Sequence, residues 1–284
     1  MSDRPSTVER VLRARPSTLE VDWRRLLHYR DLLWLLVRRD FVARYQQTIL
    51  GPAWFVLQPL IATAAFTVIF GHGLQTSTAG LPPFLFYQCG MIAWGFFATI
   101  VGAAGNTFHS NAPVFTKVYF PRLIVPLAIV IGSAAPLALQ LLAFLACYLP
   151  ALAGAPAWAP NFAALALLPL AFLQVGLLAG AVSLLTSGLS AKYRDLQHAL
   201  PFFLQIGLFV TPVIYPLAEL HGAARWLAAL NPLTPATELL RVAFFGVGGV
   251  SARLVAVSLA GTVALALAGL FAFQRAERTF ADTV

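Results

Sequence analysis

From Tyr45 to Thr116 the chain runs for 72 residues without an Asp, Glu, Lys or Arg, and from Leu123 to Ala191 for another 69. Two shorter charge-free runs follow, Leu196 to Ala218 and Leu254 to Gln274. A bilayer-crossing helix needs about 20 apolar residues, so each short run holds one crossing and each long run holds two with a turn. The turns are marked by helix breakers, Gly71 through Pro83 in the first long run and Pro150 through Pro160 in the second. Six spans are therefore expected, near 53–71, 84–105, 123–149, 162–189, 199–217 and 254–273. Composition agrees: 59% of residues are hydrophobic and 11% charged, against about 25% charged in a soluble domain. The fold class is an all-α membrane protein with six transmembrane helices.

Six crossings place both termini on one side, and Lys plus Arg selects that side. Sixteen of the 19 lie in the N-terminal segment, the loops 106–122 and 190–198, and the tail. Both termini are expected in the cytoplasm of a multi-pass membrane protein. The formal net charge of +8 then faces anionic membrane lipids and carries no nucleic-acid signature.

Three segments organise the chain. Residues 1–22 read as a mobile cytoplasmic leader, 23–52 as a cytoplasmic interfacial helix, and 53–284 as the six-span domain. Within 23–52, Leu32 to Val37 is a six-residue apolar run bracketed by charge, too short to span. Its charges do not gather on one helical face, as suits a helix that meets lipid on one side and protein on others. In loop 106–122, Pro113 can start a short helix and Pro121 disfavours its continuation through Phe120; exposed Phe115, Tyr119 and Phe120 would need covering. On the external side, Thr234-Pro235 resembles a capped helix start with Glu238 in its first turn, and Gly246 a helix end. The Gly176–Gly180 spacing suits close helix packing within the protomer.

Several chemistries are missing. No glycine-rich phosphate loop ending in Gly-Lys-Ser/Thr is present. The six expected spans contain no Asp, Glu, Lys or Arg, which argues against proton or sodium coupling. There is no HExxH or CxxC, Cys89 and Cys147 read as inert buried thiols, and no metal-binding or catalytic residue is assigned. The remaining reading is a membrane body powered by a separate motor subunit, with no cofactor of its own and ATP and Mg²⁺ held by that partner.

Five ordered motifs carry more. They are Tyr29–Trp34 with Arg39–Tyr45, Gln47–Gly51, Trp54 and Gln58-Pro59; Lys117–Arg122; Lys192–Asp195; Thr211–Pro216; and Asn231–Pro235 with Glu238 and Arg241. Together they resemble the permease subunits of type-2 ABC exporters for polysaccharides and polyol phosphates, from about residue 25 to the tail. Gln46 departs from the family, which often has lysine there, and no histidine stands near Pro235.

The resemblance implies a homodimer bound to two copies of a nucleotide-binding ATPase subunit. It implies export of a lipid-linked polysaccharide, such as O-antigen or capsule, across the bacterial inner membrane. It assigns ATPase coupling to Asn111, Pro113, Phe115, Lys117, Tyr119 and Arg122 with Arg39 and Arg44. An external gate falls on Trp226, Asn231, Pro232, Glu238 and Arg241, within short helices over 225–246. Trp94, Phe96, Phe97 and Tyr215 are candidate sugar platforms along the substrate path. Alternatives are an exporter of drugs or lipids of the same type, and a membrane enzyme acting on polyprenyl-linked sugars. The enzyme reading would rest on Asp40 or Asp195, which pair more simply with neighbouring Arg or Lys.

Overall fold

The computed structural model describes residues 23–46, 48–104, 120–154, 157–190, 192–193 and 195–283. Among these there are helices and no strand. A short α1 (Trp23–His28) leads into α2 (Arg30–Tyr45). A 3₁₀ turn (Gly51–Ala53) then opens α3 (Trp54–Phe66), which continues as a π-helix over Thr67–Gly73. Next come α4 (Pro83–Ala104), α5 (Ile124–Gly132), α6 (Ala134–Ala153) and α7 (Phe162–Ser190). The chain finishes with α8 (Asp195–Val210), α9 (Gly222–Leu230), α10 (Thr234–Phe245) and α11 (Ala252–Thr283).

Among the described residues, five helical segments are long and apolar enough to cross a bilayer: Gly51–Gly73, Pro83–Ala104, Ile124–Ala153, Phe162–Ser190 and Ala252–Glu277. The third is one segment stepped at Ser133, where Pro136 cannot donate to the Gly132 carbonyl and the Ser133 hydroxyl donates to Ile129 instead (2.8 Å). The expected fifth span is shorter than the sequence suggested. Its helix, α8, starts at Asp195 and stops at Val210, a length of about 24 Å at 1.5 Å per residue. Pro212 disfavours helical geometry at Thr211, and residues 211–216 turn away from the helix axis.

The bundle is centred on α4, most of which is buried, while α3 on its flank buries only Thr63. Most intimate is the pairing of α7 with α11. A Cβ at Gly269 would lie 2.4 Å from the Ala181 carbonyl oxygen, and one at Gly188 would lie 2.6 Å from the Ala272 carbonyl carbon. Backbone meets backbone at these two points, so only glycine fits. The Gly176–Gly180 pair is also internal, but it faces side chains: Phe96 of α4 at 3.6 Å and Val130 of α5 at 3.4 Å.

Outside the bundle, α2 lies along α5. Leu36 is buried in a cluster with Phe120, Ile124, Val125, Ala128 and Phe273, and Tyr29, Leu32, Leu33 and Val37 pack around it. Phe120, expected to need an outside cover, is covered by its own chain. The opposite arc of α2 exposes Trp34, Leu35 and Val42 beside Arg30, Arg38 and Arg39. Apolar residues on both arcs explain the scattered charge in the sequence: one arc meets protein and the other suits the headgroup layer.

The α7–α11 contact generates the first prediction. Gly269→Ala and Gly188→Ala should each destabilise the chain by about 1–3 kcal/mol through overpacking, seen as a lower melting temperature in detergent. Gly102→Ala should be near neutral, because its added Cβ would meet only Leu204 Cδ1 at 3.8 Å.

Candidate functional site: a buried polar hub and a junction beside α2

The motifs expected on the external side converge on one side of α4. Ten of the twelve residues of α10 are buried, so it is a core helix, packed against α4 and α7. Its start falls at Thr234, one residue earlier than a Thr cap would require. The Thr234 hydroxyl donates to the Ala228 carbonyl at the end of α9 instead of capping α10. Its end is as expected: Gly246 is left-handed (φ 67°) and donates to the Val242 carbonyl (3.0 Å), as helix C-termini commonly do. Glu238 lies one residue deeper than expected, as the fifth residue of the helix.

One turn apart on α10, Glu238 and Arg241 form a salt bridge at 2.9 Å with side chains 3% and 2% exposed. A guanidinium taken out of water needs both a counter-charge and acceptors for its other N–H groups. Arg241 donates Nη2 to the Val213 carbonyl (3.0 Å) and Nη1 to Glu238 and, at 3.4 Å, to the Tyr215 carbonyl. The Phe86 ring of α4 lies 4.0 Å from the guanidinium carbon, a favourable cation–π placement when desolvated. Glu238 uses its second oxygen to accept from Gly249 N (3.3 Å). One buried pair thus ties α10, the broken stretch 211–216, α4 and the Gly-rich turn before α11.

The residues of Thr211–Pro216 each have a place in this hub. Thr211 donates to the Gly207 carbonyl (2.8 Å) and accepts from Asn231 Nδ2 (2.9 Å). Gly90 of α4 has no side chain, which lets Val213 approach; a Cβ there would sit 3.0 Å from Val213 Cα. Tyr215 Oη donates to the last carbonyls of α8, Phe209 at 2.8 Å and Val210 at 3.2 Å, and so closes a helix end that Pro212 left open. On the other flank, Asn231 Oδ1 accepts from Leu233 N (3.0 Å). The Pro232 carbonyl accepts from Ser258 Oγ (2.6 Å) and Gln174 Nε2 (3.3 Å), joining α7 and α11 to the α9–α10 turn. Trp226 does not join: it is 62% exposed, on a helix that buries only Ala228.

The aromatic candidates divide. Trp94 and Phe96 are each 7% exposed within the protomer core, Trp94 against Gly207 of α8 and Phe96 edge-on to Phe172 of α7. Phe97, tilted against Trp94 at 5.6 Å, and Tyr215 are half-buried. The strongest aromatic cluster was not anticipated. Phe144, Tyr148 and Trp158 enclose Phe244 and Phe245 at the end of α10, and Tyr148 Oη donates to the Phe244 carbonyl (2.5 Å).

At the other end of the bundle, Arg122 donates to the Glu277 carbonyl of α11 (2.9 Å). Ser187 of α7 donates to Ala104 O (2.7 Å) at the end of α4. Arg39 pairs with Asp40 at 2.7 Å, the simple pairing expected of that carboxylate, and Arg44 falls on the last turn of α2. Asn111, Pro113, Phe115, Lys117 and Tyr119 lie outside the described residues. Among the described residues no cluster of His, Cys, Asp or Glu could hold a metal ion.

The hub generates a second prediction. Arg241→Leu should cost about 3–5 kcal/mol, because it strands a buried carboxylate. The double variant Glu238→Leu/Arg241→Leu should recover part of that loss but not all, since the Val213 and Tyr215 carbonyls stay unpaired. Melting temperatures of the two variants and the parent test the ranking.

Comparison with known proteins matches these elements. The model of the family described as ABC-2 type transporter matches residues 31–245, from α2 to the end of α10. The chain is 27% identical over 264 residues to the O-antigen export system permease protein RfbA of Myxococcus xanthus, covering 92% of this chain and 98% of that protein. It is 24% identical over 255 residues to the O-antigen export system permease protein RfbA of Klebsiella pneumoniae, covering 89% and 94%. With α3 to α10 inside the matched region, which spans most of the chain, this chain belongs to the ABC-2 type transporter family.

Proposed function

We propose that this chain is the membrane-spanning subunit of an ATP-driven exporter that moves a lipid-linked polysaccharide of the O-antigen type across the bacterial inner membrane. The observation that carries the reading is its likeness, over nearly the whole of both chains, to two proteins named as O-antigen export permeases. An apolar helical body without a glycine-rich phosphate loop needs an energy source outside itself, which fits a separate ATPase subunit. In this reading two copies of the chain bind two ATPase copies, both termini are cytoplasmic, and α8 serves as the sixth span.

The coupling segment is 111–120. Its flanks are anchored: Ala104 accepts from Ser187 of α7, Phe120 is buried against Leu36 of α2 and Phe273 of α11, and Arg122 holds the α11 backbone. A push on this segment by the ATPase is therefore delivered to α2, α7 and α11 together. On the far side, α9 and α10 form the external gate. The Glu238–Arg241 hub is its fixed element, and α9, exposed along Trp226, its mobile one. Phe97 and Tyr215 are reachable platforms for a passing glycan; Trp94 and Phe96 become reachable only when α4 separates from α7 and α8.

Proteoliposomes holding this chain with its co-expressed ATPase should move a defined lipid-linked glycan in the presence of ATP, and those holding this chain alone should not. Equal transport without the ATPase would refute the reading. For coupling, Lys117→Glu should weaken co-purification of the ATPase and abolish export while leaving the melting temperature unchanged. Normal co-purification and normal export would count against the assignment.

A further inference from the structure

The loop between α3 and α4 is built around Ser77. On one side the Thr76 amide donates to the Phe70 carbonyl (2.8 Å), tying the loop back to the π-helical end of α3. On the other, the Thr78 hydroxyl donates to the Leu81 carbonyl (2.6 Å) and Leu81 N to the Thr78 carbonyl (3.1 Å). Leu81 itself is buried in the core. Between these fixed points Gln75 (φ 49°) and Ala79 (φ 55°) both take left-handed backbone, which a residue with a Cβ adopts at a cost in energy. Two such residues flanking one serine persist only where the surrounding structure holds them.

Ser77 uses that geometry. Its hydroxyl oxygen accepts from Ala79 N (3.2 Å) and its O–H donates to Glu219 Oε1, 142 residues along the chain. Glu219 ends a 3₁₀ turn (Leu217–Glu219) that follows directly on the stretch 211–216. Leu217 is buried, and the Glu219 amide donates to the Pro216 carbonyl (3.2 Å). Because Arg241 takes up the carbonyls of Val213 and Tyr215, Glu219 stands on the hub. The other end of the contact has no such support. Among its own residues α3 buries only Thr63, so packing holds it weakly.

We propose that Ser77 and Glu219 form a clasp that fixes the end of α3 to the hub, and that the clasp parts when the subunit opens for export. The second clause rests on the export reading; the first does not. Both residues are exposed, and at an exposed site water replaces a lost partner, so such a contact can break and remake in each cycle. The preset backbone around Ser77 returns the hydroxyl to the same place. Release frees the end of α3 without disturbing the buried salt bridge behind Glu219.

Hydrogen exchange on this chain in lipid nanodiscs tests the first clause. Ser77→Ala and Glu219→Ala should each speed exchange at the Leu74 and Thr76 amides several-fold. The double variant should exchange no faster than the faster single, since both singles remove the same contact. Unchanged exchange in the single variants, or additive effects in the double, overturns the clasp.

The second clause is tested with the chain and its ATPase in proteoliposomes that carry a lipid-linked glycan. Ser77→Cys/Glu219→Cys is joined by a short bis-methanethiosulfonate linker, and the junction is verified by mass spectrometry. The linked protein should lose ATP-driven export and regain it when a reductant cuts the linker. Linker-treated wild type, with Cys89 and Cys147 alone, should export throughout. Full export by the linked pair beside an active wild type overturns the parting of the clasp and leaves the export reading intact. A pair that the linker cannot join overturns the contact itself. An inactive wild type refutes the export reading and the parting with it, while the exchange result still decides the first clause.

Discussion

A polar group carried into hydrocarbon must find its partner inside the protein, because the bilayer offers none. The arrangement around α10 follows from that constraint. Arg241 and Glu238 enter the core on α10 and neutralise each other. Arg241 also takes up the carbonyls of the non-helical stretch 213–215. Broken backbone and buried charge satisfy one another. Neither would be stable at that position alone, which is why the two motifs that supply them, 211–216 and 231–241, meet in space.

The same constraint explains where side-chain hydroxyls and amides sit along the apolar helices. Gln174 of α7 reaches Ser258 (2.7 Å) and Thr262 (3.1 Å) of α11, and Ser258 passes the contact on to Pro232. Interhelical hydrogen bonds of this kind average only about 0.6 kcal/mol, so they orient the helices more than they hold them. Cohesion comes from close packing, greatest where Gly188 and Gly269 bring two backbones together. Rigidity is therefore uneven: α7, α10 and α11 form a tight body around α4, and α3 and α8, each with one buried residue, are its loosely held flanks.

Much of the fold was legible in the sequence, because charge-free length and helix breakers act locally. Four of the six expected spans coincide with single long helices to within a few residues, and a fifth with the stepped pair α5–α6. The span expected to reach residue 217 was overextended: apolarity alone cannot tell a helix from the buried turn that follows Val210. The Phe120 environment was likewise illegible, because its cover comes from α2 and α11, distant in sequence. Among the site residues, Glu238 and Arg241 were picked out, but Phe86, over the Arg241 guanidinium, and Gly90, where Val213 approaches, were not. An aromatic or glycine inside an apolar span carries no signal of the cation or backbone it will meet.

The sequence by itself determined the solvent of each segment, the side favoured by Lys and Arg, and the absence of a glycine-rich phosphate loop. Those properties depend on transfer free energies that add along the chain. Only the tertiary structure decided that α10 is a core helix and α9 a surface one, and that Arg241 secures the break after α8. Each of these depends on which faces of separate helices meet. Hydrophobicity is non-directional and leaves that choice to packing and hydrogen-bond geometry.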